Sequence, residues 1–143
     1  MTYADSSFLV SSFIQDSHTE SAHKYLASNS RPLILTSFSK TETQHAIRML
    51  AFRKLITIGE MTQGLIHFER AQDDEVYELR LIEPGELFQV ASQLSNRHAL
   101  NYGVRFLDML HVASAQLAHA KRFLTFDLRQ RKFAAALGLD VKI

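Results

Sequence analysis

The sequence predicts an α/β fold, a parallel sheet covered on both faces by helices, and three observations carry that prediction. Short apolar, β-prone runs at Thr2–Ala4, Leu33–Thr36 and residues 123–126 are separated by segments of helical composition along the whole chain, and such alternation builds parallel sheets. These runs are apolar throughout rather than alternating, as strands buried on both faces are. Two of them stop at an acid, Asp5 and Asp127, where a helical segment begins. That junction is the edge at which open α/β sheets bind ligands.

The bulk properties narrow the options. At 143 residues the chain suffices for one domain with a real core and is short for two, so residues 1–143 are expected to form a single domain. Its 16 Lys and Arg against 15 Asp and Glu leave a formal net charge of +1. That balance excludes a strongly cationic nucleic-acid coat and an acidic tail, so any phosphate binding must be local. There is no cysteine, which rules out disulfides, thiolate zinc sites and thiol nucleophiles together. No apolar run approaches the roughly 20 residues of a membrane span, and the amino terminus lacks a basic-then-apolar leader. The chain therefore reads as soluble and cytoplasmic, with no membrane partner.

In order, the first strand ends at Asp5 and residues 6–14 begin a helix, for which Asp5 is also a good N-cap. Residues 19–26 form a second helix, closed by the polar connection Ser28-Asn29-Ser30-Arg31-Pro32. After strand two, Ser39-Lys40-Thr41-Glu42 opens a long helix through about Thr57, and Ser39 and Glu42 have capping-box spacing. Gly59 breaks that pattern and residues 60–71 resume it, with Gly64 a weak point. Asp73-Asp74-Glu75 reads as a solvated turn. The alternation across residues 76–82 predicts a half-exposed third strand toward an edge. Pro84 suits the first turn of a helix to about His98, and residues 96–103 read as a polar connection. Residues 104–115 are apolar on nearly every side and predict a buried helix carrying one carboxylate, Asp108, near its start. Strand four follows, then a helix over residues 128–137, a stop at Gly138 and a last strand over residues 139–143.

A helix that leads into a parallel strand runs back across the sheet, so its amino end shares the rim with the strands' carboxyl ends. Asp5, Glu42, Asp108 and Asp127 thus converge. Four carboxylates at close range repel one another and drive some pKa values up, unless a cation intervenes. Oxygen-only ligation, with no Cys and no paired His, favours Mg2+ or Mn2+ over zinc. Such an ion activates a water and neutralises charge on a phosphodiester, which makes phosphodiester hydrolysis the natural chemistry.

The acids in Tyr3-Ala4-Asp5-Ser6-Ser7, Ser39-Lys40-Thr41-Glu42, Arg105-Phe106-Leu107-Asp108-Met109-Leu110-His111-Val112-Ala113 and Leu124-Thr125-Phe126-Asp127 resemble the four acidic positions of PIN-domain ribonucleases, especially the VapC-type toxins. The resemblance spans essentially the whole chain. It implies a three-layer α/β/α fold with strand order 3-2-1-4-5 and Mg2+- or Mn2+-dependent endonucleolytic cleavage of RNA. It also implies a cognate antitoxin that occupies the site, and a homodimer. By the same resemblance, Ser6 and Thr125 are hydroxyl neighbours that orient the metal's water.

Other residues have plainer readings. Arg105 precedes Asp108 by three residues, so a helical ion pair and a phosphate contact are equally open. Lys40, Arg129, Arg131 and Lys132 lie near the rim or on the following helix, where they would steer RNA or simply face solvent. His111 reads as a satisfied core residue, and none of the ten Phe reads as a base-stacking platform. No Gly-rich phosphate cradle is present, which disfavours nucleoside triphosphate chemistry. A phosphatase or phosphoacceptor would want a second acid beside Asp5, where Ser6 and Ser7 stand instead. The remaining alternative is a catalytically silent module using this fold to bind RNA or protein.

Overall fold

A computed structural model describes residues 1–143. Five strands, β1 (Thr2–Ala4), β2 (Leu33–Thr36), β3 (Tyr77–Arg80), β4 (Arg122–Leu124) and β5 (Asp140–Lys142), form one parallel sheet in the order β3-β2-β1-β4-β5. This is the order 3-2-1-4-5 expected. Seven helices connect them: α1 (Ser6–Phe13), α2 (Thr19–Ser28), α3 (Ser37–Phe52), α4 (Ile58–Asp73), α5 (Pro84–Tyr102), α6 (Phe106–Leu117) and α7 (Leu128–Ala136). No helix is long and apolar enough to cross a membrane.

Strand residues alternate between two cores, as the period of two demands. Tyr3, Ile34 and Phe123 share a row across the sheet and pack with Met109, Val112 and Ala113 of α6 and Phe133 of α7. Ala4, Leu33, Leu35 and Leu124 face the other way, onto Phe8 and Leu9 of α1, Ala22 of α2 and Phe68 of α4. The central strands are therefore apolar on both sides, and a single substitution in either row opens a cavity in one layer only. Edge strand β3 is half exposed, as its alternation predicted.

Several boundaries differ from the sequence reading. Helix α3 starts at Ser37, because Thr36 caps it and forms a reciprocal capping box with Ser39. Ser39 is thus the partner inside the helix, and Glu42 is released from any capping duty. The helix ends at Phe52, five residues before Thr57, and Lys54 takes a left-handed φ of 59° just beyond. Thr57 then caps α4 in a second capping box with Glu60. Gly59 sits in that first turn, where an unpaired N–H costs the helix nothing extra. Residues 96–102 belong to α5 rather than to a loop, and Gly103 stops the helix at φ 58°. Such a left-handed stop suits glycine.

The apparent weak point at Gly64 has a packing reason. A β-carbon there would stand 2.5 Å from Ile14 Cδ1 and 3.3 Å from the Phe13 carbonyl oxygen. The glycine lets α4 lie directly on the end of α1.

Candidate active site

Each of the four acids is delivered by a separate strand-to-helix or loop-to-helix junction. Asp5 follows β1 and caps α1: its Oδ1 accepts from the Phe8 backbone N–H at 2.9 Å. Asp127 stands three residues past the end of β4 and caps α7 through Oδ1, which accepts from the Arg129 and Gln130 N–H groups at 2.8 and 3.1 Å. Asp108 lies in the first turn of α6, and Glu42 one turn into α3. These positions share the sheet's carboxyl edge because every connection returns to it.

Glu42, Arg105 and Asp127 line a cleft of about 690 Å3 together with Ser6, Ser7 and His18. Asp5 and Asp108 lie beneath it, 1% and 6% exposed. Arg105 ties the acids together. Its Nε and Nη2 donate to Asp108 Oδ2 and Oδ1 at 3.1 and 3.3 Å, and Nη2 also lies 3.6 Å from Asp127 Oδ2. The helical ion pair left open by the sequence is formed, and it bridges two of the four acids. The hydrogen bond to Asp108 is the main reason that the guanidinium is held above its ordinary range.

His111 is satisfied, as expected, but its partners were not foreseeable. Its ring is buried, with Nδ1 2.8 Å from the Tyr3 hydroxyl and Nε2 2.5 Å from Glu42 Oε2. A carboxylate only accepts, so a proton belongs on Nε2. Glu42 is therefore aimed by a side chain rooted in the core. Burial raises the Glu42 carboxyl, but hydrogen bonds from His111 and Ser6 and the charges of His111 and Arg105 outweigh it, leaving a net shift downward. Burial dominates at Asp5 and pushes its carboxyl upward, while the His111 charge and hydrogen bonds from Thr125, Phe8 and Ser7 offset part of the rise.

Both predicted hydroxyls are at the site, Ser6 beside Glu42 and Thr125 behind Asp5. The sequence reading passed over Ser7. Its Oγ donates to Asp5 Oδ1 at 2.7 Å, accepts from the Phe126 N–H at 2.9 Å, and lies 3.5 Å from Thr125 Oγ1. Ser7 thereby clamps the end of β4 against the end of β1. Ser6 and Ser7 are alike in sequence, and the 100° between successive helical residues separates their roles.

The predicted RNA-contacting lysine and arginines divide. Arg105 is in the cleft, whereas Lys40 pairs with Glu69 of α4 at 3.1 Å and is not among the cleft's lining residues. The Arg129 side chain is exposed on α7 outside the lining, and only its backbone touches Asp127.

The donor set suits a hard cation in chemistry: it is all oxygen, and Asp5, Glu42 and Asp127 are each anchored through one carboxylate oxygen. In arrangement, no group of three or more His, Cys, Asp or Glu side chains is placed to hold a metal ion. Asp108 and Asp127 are drawn onto the Arg105 guanidinium instead, whose side chain is 65% exposed.

A family model of the PIN domain matches residues 2–136. Among solved structures, the fold is similar to that of Mycobacterium tuberculosis VapC20, described as a sarcin-ricin loop cleaving toxin. The two are 17% identical, with a TM-score of 0.73 over 100% of each chain. It is also similar to PAE2754 of Pyrobaculum aerophilum, 17% identical with a TM-score of 0.63 over 98% of this chain and 87% of that one. No curated protein sequence matches. At such identities the likeness to solved structures concerns the fold alone.

Proposed function

This chain belongs to the PIN-domain family, and from that premise we propose that residues 1–143 act as a single-domain, Mg2+- or Mn2+-dependent endoribonuclease, the toxin of a VapBC-type pair. The observation that carries the reading is the placing of Asp5, Glu42, Asp108 and Asp127 at helix starts along one sheet edge, with the Arg105 guanidinium bridging Asp108 and Asp127. In this reading the four carboxylates would hold the ion in place of the Arg105 guanidinium. When bound, Mg2+ or Mn2+ supplies charge neutralisation at a phosphodiester and a more acidic water.

The chain's own residues do the rest. Ser7 and the Phe8 N–H hold one oxygen of Asp5, His111 holds one of Glu42, and the α7 amino end holds one of Asp127. That pre-orientation fixes each carboxylate in advance, without reorganisation at the moment of reaction. Arg105, freed from Asp108, is positioned to meet a backbone phosphate at the cleft mouth.

A cognate antitoxin would cover the cleft, and a homodimer is supported by the exposed Phe88 and Phe106, which stack at 6.3 Å on the α5–α6 side. Cytoplasmic action is part of the same proposal. The activity named for VapC20 motivates a ribosomal stem-loop as the first RNA to try.

The test is incubation of purified protein with that stem-loop and Mg2+ or Mn2+, beside Asp5→Asn and Asp108→Asn. Cleavage that requires the metal and both acids supports the proposal. Cleavage indifferent to chelator and to both substitutions defeats it. Metal-independent RNA binding without cleavage would instead favour the silent RNA-binding module.

A further inference from the structure

Beside the acidic cleft lies a second cavity of about 710 Å3, which shares His18 and Phe126 with it and is otherwise bounded by Lys24, Tyr25, Leu128 and Arg131 among others. Its volume falls within the roughly 300–1,000 Å3 of ordinary ligand sites. No acidic side chain lines it. Its charged lining side chains are Lys24 and Arg131, whereas the adjoining cleft mixes Asp16, Glu42 and Asp127 with Arg53 and Arg105.

Three aromatic rings stack in a row, of which Phe126 and His18 line the cavity. Phe8 is fully buried. Phe126, half buried, is parallel to it at 5.9 Å and 17°, and exposed His18 is parallel to Phe126 at 4.3 Å and 13°. The stack climbs from the core to the boundary between the two cavities and ends on an exposed ring. The turn that carries His18 is braced: Asp16 Oδ1 accepts from the His18 N–H at 2.7 Å, Thr19 Oγ1 accepts from the Asp16 N–H at 2.9 Å, and Ser11 donates to Asp16 Oδ2 at 2.7 Å. A ring held this firmly loses little freedom when something lies on it. On the far side, Arg131 spends Nη2 on the Thr125 carbonyl at 3.3 Å while its Nε is buried without a partner, and Lys24 is exposed and forms no ion pair.

We propose that this cavity is a nucleotide subsite, in which an unpaired nucleobase next to the cleaved phosphate stacks on His18 while Lys24 and Arg131 take its phosphates. The proposal rests on the nuclease reading for the identity of the polymer. Its ligand chemistry, a flat π-face joined to anionic oxygens, comes from the cavity. It revises the expectation that no Phe serves as a stacking platform: Phe126 does so from one layer down, with His18 as the contact surface. Stacking of this kind tolerates every base and requires an unpaired strand.

The test measures binding without cleavage. A fluorescent unpaired oligoribonucleotide is titrated in EDTA against the full chain, His18→Ala, His18→Phe and Lys24→Gln. Expected are an affinity about tenfold weaker for His18→Ala, restoration by His18→Phe, and a salt dependence of log K shallower by about 0.7 for Lys24→Gln. An oligonucleotide made abasic throughout should bind the full chain and His18→Ala alike.

Equal affinity for the intact and His18→Ala chains overturns the subsite, as does a loss that persists on the abasic strand. Poly-glutamate or duplex RNA binding as well as the unpaired strand would leave charge alone and also overturn it. Because no metal is present, these outcomes are independent of the cleavage test above. A chain that cuts RNA in Mn2+ with normal His18→Ala affinity in EDTA fails here and passes there.

Discussion

The β1–α1 and β4–α7 junctions are one device built twice on neighbouring strands. In each, a buried strand ends, an aspartate caps the following helix through Oδ1, and the chain turns back over the sheet. Yet Asp5 is 1% exposed, whereas the Asp127 side chain is 25% exposed and faces Arg105. Ser7 reaches across from α1 to close the gap, bonding Asp5 and the Phe126 N–H at once. The same local motif therefore yields a buried acid strained toward neutrality and an open acid paired with a guanidinium. Depth in the sheet, not the capping sequence, sets their chemistry.

Substitutions at four positions break or sharpen that contrast. The largest effect is expected on cleavage, where Asp5→Asn should lower the single-turnover rate in Mn2+ on the order of 10²–10³-fold and Asp127→Asn about tenfold. Equal losses would mean that depth is irrelevant. Next comes the metal-free stability of the same two positions. Asp127→Ala removes a helix cap worth about 1 kcal/mol and should lower the melting temperature by roughly 3–4 °C. Asp5→Asn keeps a capping side chain and relieves a buried charge, so its melting temperature should hold or rise; a fall of several degrees would assign Asp5 a structural role.

Arg105→Gln follows. Removing the resident counter-charge should tighten Mn2+ binding a few-fold in calorimetry, the scale of a mostly exposed ion pair, with a slight loss of metal-free stability. Unchanged Mn2+ affinity would show that the arginine and the ion do not compete. The smallest effect is reserved for Glu60, a third capping acid far from the site. Hydrogen bonds from the Thr57 backbone and hydroxyl hold its carboxyl below the ordinary range. Its contribution is present above the usual glutamate pKa and fades as pH falls through the lowered value. Glu60→Gln should flatten the acid limb of the stability profile and leave cleavage untouched.

The strand pattern and the junction acids Asp5 and Asp127 were legible because each is a local signal: an apolar run, then an acid where nothing apolar explains one. The start of α3 was not, since Thr36 and Ser39 are both good caps and only the folded chain decides between them. Residues 96–102 misled because their polar side chains face water from a helix, and polarity alone does not separate that from a loop. The Glu42–His111 bond joins residues 69 apart in sequence, and the Ser7 contacts with Phe126 span 119. No spacing rule reaches so far. The His18–Phe126 stack is hidden for the same reason.

Gly64 carries a last consequence. Helices α1, α3 and α4 touch one another, and the missing side chain at 64 lets α4 rest on Ile14. The α3–α4 hairpin, with Glu42 on its inner arm, is thus seated at a height gauged by a single hydrogen atom. A methyl group inserted there would act as a wedge, lifting one jaw away from Asp5 while both strands stayed in register.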